Sequence, residues 1–444
     1  VSFPPYPSYQ DSGVEWLGAV PRHWRVERLG NLYREVSEAG SPELPVLSVS
    51  IHSGVSDEEA APEDNERKIV RSEDRSKYKR VSPNDLTYNM MRAWQGGFGT
   101  VQVEGMVSPA YVVARPRTEV PSKYIELLLR TPGAVEEMRR HSRGVTDFRL
   151  RLYWDQFKDI RVALPPQEER NAILAFVDRE TSKIDALVDE QRRLIGLLQK
   201  KRQAAISHAV TKGLDPTAPM KDSGVEWLGE VPAHWVVTAL KRYSMKVTDG
   251  AHISPETEGG IHCFVSTRDV SDQGIDFEGC LRTTPQSFDY LVKTGCNPEF
   301  GDVLFSKDGT VGRTTVVRDA PDFVVASSLI IIRPSPEILN AEFLDLLCKS
   351  DAVQQQVASY VKGAGLPRLS IQNLLRVIGV FPPIDEQSQI VAATAPQLDA
   401  IRQLHAAADA ATALLNERRS AFIRAAVTGK IDVRYVDVQQ AEAA

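Results

Sequence analysis

Two long stretches of the chain carry the same hydrophobic pattern. In Glu168–Val210, apolar or small residues fall at Ile173, Val177, Ile184, Leu187, Leu194, Leu198 and Ala205. Glu180, Gln191 and Lys201 fill the gaps, so the steps alternate between four and three. That is a heptad seam rather than a plain 3.6-residue stripe. It predicts one helix of about 60 Å at ~1.5 Å per residue. The pattern returns in Asp385–Val427, with Ile390, Leu398, Ile401, Ala408, Leu415 and Phe422 on one seam. A Pro-Pro pair precedes each stretch, Pro165-Pro166 and Pro382-Pro383. Equal length and equal pattern predict that the two helices pack on each other.

The segments between them are also repeated. Asp11-Ser-Gly-Val-Glu-Trp-Leu-Gly-Ala-Val-Pro-Arg-His-Trp24 returns as Asp222-Ser-Gly-Val-Glu-Trp-Leu-Gly-Glu-Val-Pro-Ala-His-Trp235, identical at twelve of fourteen positions. Val81–Tyr88 parallels Pro298–Phe305, and each runs into a glycine-rich turn, Gly96-Gly97-Phe98-Gly99 or Gly309-Thr310-Val311-Gly312. β-rich runs follow, Met106–Arg115 and Phe323–Arg333, then helices at Ser122–Arg130 and Ala341–Lys349. Leu197, Arg202, Ala204, Ile206, Ala209, Val210 and Thr211 recur at 414, 419, 421, 423, 426, 427 and 428. The predicted order is lobe, long helix, lobe, long helix, with α+β lobes. The copies differ most at Arg34–Arg80 against Lys246–Asn297. The first carries an acidic loop, Asp57–Glu66, and a basic run, Arg67–Arg80; the second carries His252-Ile-Ser-Pro and His262-Cys263.

Composition narrows the class. A chain of 444 residues is expected to hold two or three domains. Hydrophobic content of 42% and charged content of 25% are those of a globular protein. No apolar run reaches the ~18 residues of a membrane span. The first residues, Val1–Tyr6, lack the basic and apolar regions of a signal peptide. The expected location is the cytoplasm. Cys263, Cys280, Cys296 and Cys348 form no Cys-x-x-Cys pair, so zinc and disulfides are not expected. A formal net charge of −6 shows no overall basic excess, so any nucleic-acid surface must be local.

Enzyme motifs are absent. The chain holds no Gly-x4-Gly-Lys-Ser/Thr phosphate loop, and Gly96–Gly99 lacks the spacing of a dinucleotide fingerprint. Phe3-Pro4-Pro5-Tyr6 lacks the polar residue that an amino-methyltransferase needs before its prolines, and Glu66-x-Lys68 sits in a charge run. His23-Trp24 and His234-Trp235 read as framework. The lobes do place basic and amide side chains near glycines. These are Arg92, Gln95, Arg143, Arg149 and Arg151 in the first, and Lys307, Arg313, Lys362 and Arg368 in the second. Arg and Gln suit bidentate contacts to guanine and adenine edges, and Lys suits phosphate. Arg139–Arg151 contains a single acid and forms a local basic patch.

These features resemble the specificity subunit of type I restriction-modification systems. The resemblance rests on the doubled Trp-Leu-Gly-x-Val-Pro-x-His-Trp block, the Gly301-Asp302-Val-Leu strand entry and the Pro-Pro-x-x-Glu helix openings at Glu169 and Glu386. It implies two similar α/β target recognition domains separated by two long helices packed as an antiparallel coiled coil, with pseudo-two-fold internal symmetry. The implied boundaries are 1–165, 166–211, 212–380 and 381–430, with a tail at 431–444. The implied function is non-catalytic: each lobe reads half of a bipartite, asymmetric double-stranded DNA target. The helices set the spacer and dock two methyltransferase subunits, which bring in restriction subunits. S-adenosylmethionine, ATP and Mg are then expected in the partners, with no cofactor, metal or membrane contact in this chain. The first copy departs from the pattern, with Asn84-Asp85 in place of Gly301-Asp302. A fused methyltransferase or nuclease with an unrecognised active site, and a helical adaptor without DNA binding, are the other two classes.

Overall fold

The computed structural model describes residues 3–41, 43–51, 54–56, 77–144, 150–271, 274–318, 321–361 and 367–434. The acidic loop Asp57–Glu66, most of the run Arg67–Arg80, Arg149 and Lys362 lie outside them. The two long helices span Gln167–Lys212 and Ile384–Val427, within two residues of the bounds expected from the heptads. Each opens after its Pro-Pro pair with acids in the first turn, Glu168 and Glu169 or Asp385 and Glu386, where the helix dipole favours negative charge. Gly213 (φ 75°) and Gly429 (φ 69°) follow their ends in the left-handed region that glycine adopts at low cost.

The chain forms two compact units, Val1–Glu190 with Ala411–Ala444, and Gln191–Ala410. Each unit therefore takes part of both long helices, rather than ending at the lobe boundary. In the first unit, an antiparallel sheet has the order Tyr33–Val36, Tyr111–Pro116, Leu86–Asn89, Phe98–Thr100. In the second, Ser244–Asp249, Leu329–Pro334, Val303–Ser306 and Thr314–Val316 stand in the same order. The two β-rich runs expected from sequence are each two short strands, Gly105–Val107 with Tyr111–Pro116 and Phe323–Val325 with Leu329–Pro334. The expected helix at Ala341–Lys349 is present with those bounds, and Ser122–Leu129 ends one residue early. The second unit adds a three-stranded sheet in which His262–Val265 runs parallel to Phe323–Val325.

The core of each lobe continues into the helices. Ile173, Phe176 and Val177 join Ala426 and Val427 in the first core; Ile206, Ala209 and Val210 join Ile390 in the second. The helices pack antiparallel in each unit. In the first, Phe176 lies edge-on to Phe422 at 6.5 Å, and Arg419 Nε donates to Asp185 Oδ1 at 2.8 Å. In the second, Gln199 Nε2 approaches His405 Nε2 at 3.5 Å. The seam of the first helix differs from the expected one at every other position. Val177, Ile184 and Leu198 are buried as expected, but Leu187 and Leu194 are 52% and 39% exposed. Lys201 is exposed and Glu180 and Ala205 are half-buried, whereas Thr181, Val188 and Ile206 are buried. Residues 180, 187, 194 and 201 flank the shared positions on one side, and 181, 188 and 195 on the other. Both sets keep a seven-residue spacing, and the side on which the partner helix lies decides between them.

The repeated Trp-His block meets the start of a long helix in each unit. In the first unit, Trp24 Nε1 donates to Glu169 Oε1 at 2.8 Å, Tyr6 OH donates to the same oxygen at 2.5 Å, and His23 Nε2 lies 2.6 Å from Oε2. In the second, Trp235 Nε1 donates to Glu386 Oε1 at 3.1 Å, and His234 Nε2 lies 2.8 Å from Oε2. By the repeat, Thr217 stands where Tyr6 stands, so the second carboxylate has one donor fewer. Burial, followed by the bond to Glu169, pushes the Tyr6 hydroxyl far above its ordinary pKa, so it stays a donor. Glu169→Ala strands two donors in a buried site, at ~1–3 kcal/mol each. Glu386 has a half-exposed histidine beside it, and Glu386→Ala is expected to cost less. Chemical denaturation of the two variants checks this, and equal losses would contradict it.

Candidate nucleic-acid interface

A buried ion pair sets the strand that leads into each candidate loop. Arg115 Nε and Nη2 donate to Asp85 Oδ1 and Oδ2, both at 3.0 Å; Arg333 Nε and Nη2 donate to Asp302 Oδ1 and Oδ2 at 2.8 and 2.9 Å. Paired two-point bonding fixes the start of one central strand against its central neighbour. The residue before each aspartate is left-handed, Asn84 at φ 71° and Gly301 at φ 84°. Asn84 is the one non-glycine residue with positive φ among the described residues. Its side chain is anchored: Ser122 N donates to Oδ1 at 2.8 Å and Nδ2 donates to the Val120 carbonyl at 3.2 Å. The sequence departure at Asn84-Asp85 thus preserves the backbone geometry.

In the first unit the strand Leu86–Asn89 runs into a turn at Met90–Gln95, with a 3-10 turn at Ala93–Gln95. Gly96 (φ 88°) closes it, and Gly97 N donates to the Arg92 carbonyl at 2.8 Å. The side chains of Arg92 and Gln95 are exposed. Leu152 N donates to the Met90 carbonyl at 2.9 Å, which brings Arg151 alongside. Arg143 and Arg151 exchange backbone hydrogen bonds of 2.9 and 3.0 Å, and both side chains are exposed. The structure therefore gathers Arg92, Gln95, Arg143 and Arg151 around one turn. The patch read at Arg139–Arg151 is more neutral than its sequence. Arg139 faces Glu136 at 3.8 Å, and Arg140 faces Glu15 at 2.8 Å and Glu137 at 3.8 Å.

The second unit builds the matching loop from Lys307 to Gly312. Ser306 N donates to the Arg313 carbonyl at 2.8 Å, just as Asn89 N donates to the Gly97 carbonyl at 2.8 Å. Gly312 (φ 97°) matches Gly96, and Arg313 takes the place of Gly97 with its side chain exposed. A Cβ at Gly312 would lie 2.4 Å from Gln354 Oε1, so no larger residue fits without displacement. Leu369 N donates to the Lys307 carbonyl at 2.8 Å, which makes Lys307 the counterpart of Met90 and Arg368 that of Arg151. Arg368 is exposed and faces Asp308 at 2.8 Å.

Lys307 differs from its expected role as an exposed phosphate contact. It is 5% exposed, and its Nζ is paired with Asp249 Oδ2. His252 Nε2 lies 2.8 Å from the same oxygen. Burial pushes the Asp249 carboxyl up, but the bond and charge of Lys307, with His252, more than reverse this and hold it below its usual pKa. Asp249, His252, Lys307 and Arg368 line one cleft of about 940 Å³ with Tyr360, Gln372 and Asn373. No sequence motif marks Asp249, Gln372 or Asn373; strand register places Asp249 at the cleft, and the helix Ile371–Arg376 brings Gln372 and Asn373 to it. Among the described residues no group of three or more His, Cys, Asp or Glu side chains is arranged to hold a metal. No described helix is long and apolar enough to cross a membrane.

The family model for the type I restriction modification DNA specificity domain matches residues 285–405. A curated relative, the type I restriction enzyme EcoBI specificity subunit of Escherichia coli, is 23% identical over 270 residues, covering 59% of this chain. The match spans 56% of that relative's length. A solved chain from a study of complex assembly and conformational transition of the type I R-M system shares the fold. Its TM-score is 0.66 at 18% identity, with 93% of this chain and 99% of that one covered. The HsdS subunit of Thermoanaerobacter tengcongensis gives a TM-score of 0.46 at 18% identity, with 93% and 98% covered. Residues 285–405 thus resemble the type I restriction modification DNA specificity domain, and the curated relative is a specificity subunit.

Proposed function

We propose that this chain is the non-catalytic DNA-reading subunit of a type I restriction-modification complex. Each unit reads one half of a bipartite, asymmetric double-stranded target. One observation carries this reading: the same loop frame occurs twice with different exposed side chains. Arg92, Gln95, Arg143 and Arg151 surround it in the first unit, and Arg313 and Arg368 in the second. Shared geometry with different donors fits two half-sites of different sequence. Arginine contacts to phosphate would supply affinity, and contacts to base edges would supply sequence choice. The long helices would set the spacer and dock two methyltransferase subunits, and through them the restriction subunits. The complex would work in the cytoplasm, with S-adenosylmethionine, ATP and Mg held by the partners.

Arg313→Ala is expected to weaken selection in one half-site and Arg92→Ala in the other. Binding of the full complex to targets scrambled in the left or right half tests this, and equal loss on both sides would overturn it. Binding of S-adenosylmethionine by the chain alone would favour the enzyme class. No DNA binding with partners present would favour the adaptor. Removing an arginine that contacts phosphate should lower the slope of log K against log salt by about 0.9. Titration of Arg151→Ala over a range of salt reads that slope. A matched deletion of one heptad from both long helices removes about 10 Å. At ~3.4 Å per base pair the preferred spacer should shorten by about three base pairs. An unchanged spacer in a selection from random DNA would remove the ruler role.

A further inference from the structure

The pair formed by Asp249 and Lys307 belongs to the second unit alone. In the first unit Arg115 pairs with Arg34, and in the second Arg333 pairs with Lys246. Counting three residues on from each places Ser37 at the position of Asp249. The hydrogen bonds from Leu152 and Leu369 place Met90 at the position of Lys307. One sheet frame thus carries serine and methionine in one unit and a carboxylate held by a buried ammonium in the other. The framework does not require the charged pair, since its counterpart stands without it.

A carboxylate is an odd occupant for a surface that meets DNA, because phosphate repels it. It is useful where it faces a base edge that offers a donor: carboxylates accept from exocyclic amino groups in the major groove. Asp249 is built for that task. Lys307 and His252 both bind Oδ2, and among the described residues no hydrogen bond goes to Oδ1. The carboxyl is held ionised, therefore acceptor-only. Arg368, Gln372 and Asn373 share its cleft and can bind phosphate or neighbouring bases.

Resting on the DNA-recognition reading above, we propose that Asp249, positioned by Lys307 and His252, reads an exocyclic amino group, that of cytosine or adenine, in the half-site of the second unit. The double variant Asp249→Ser/Lys307→Met copies the pair that the first unit already carries, so no buried charge is left alone. The full-length chain, co-expressed with its methyltransferase partners, is used to select from duplexes randomised in both half-sites. The wild type should prefer one base pair at a position of the second half-site, and the base whose amino group is read is the cytosine or adenine of that pair. The double variant should lose about tenfold of that preference, the scale of one mismatched base pair, and keep the other half-site. Replacing the preferred base by an analogue lacking only its amino group should weaken the wild type by the same factor and leave the double variant unchanged. The analogue also tells cytosine from adenine. An unchanged preference, or equal loss by wild type and double variant with the analogue, would overturn the proposal. So would loss of both half-sites by the double variant, with Asp249→Ser alone behaving likewise, since the pair would then hold the fold. A wild type that selects no sequence would instead sink the DNA-reading function itself.

Discussion

The rest of the molecule depends on a carboxylate at the start of each long helix. Glu169 is 5% exposed and bonded by Trp24, Tyr6 and His23. A carboxyl group so buried is tolerable because donors and the helix N-terminus face it. The same tryptophan meets the end of the other helix. A Cβ at Gly429 would lie 3.0 Å from Trp24 and 2.5 Å from Pro21, and one at Gly213 would lie 3.1 Å from Trp235. Each repeated block therefore joins the first turn of one long helix to the terminal glycine of the other. This accounts for twelve identities in fourteen residues. A lobe that loses the joint loses its fixed attachment to both helices.

Above that joint, the Asp85–Arg115 and Asp302–Arg333 pairs repeat the same strategy within the sheets. They hold rigid the strands from which the loops project. Side chains that the frame does not need differ between the units: Met90 against Lys307, Gly97 against Arg313, Ser37 against Asp249. These side chains can change while the carboxylate joints stay fixed.

Much of this was legible in the chain. Sequence showed the duplication, the long helices to within two residues, and the framework role of His23-Trp24, although not the glutamate that Trp24 bonds. Of the residues it singled out, Arg92, Gln95, Arg143, Arg151, Arg313 and Arg368 are exposed beside the two loops. It did not foresee the burial of Lys307, because a lysine after a strand looks the same whether it points to water or to a half-buried aspartate 58 residues away. It misread the charge around Arg140, whose partner Glu15 is 125 residues distant.

Local pattern and repetition thus determined which segments are helix, which are lobe and that the plan occurs twice, because heptad spacing, proline, glycine and duplicated words act over short range. Tertiary structure alone decided which flank of the first long helix is buried, since Leu187 and Val188 satisfy the same heptad and only the position of the partner helix separates them. It alone decided that Asp249 meets Lys307 in a cleft, since strand register brings together residues that no sequence spacing connects.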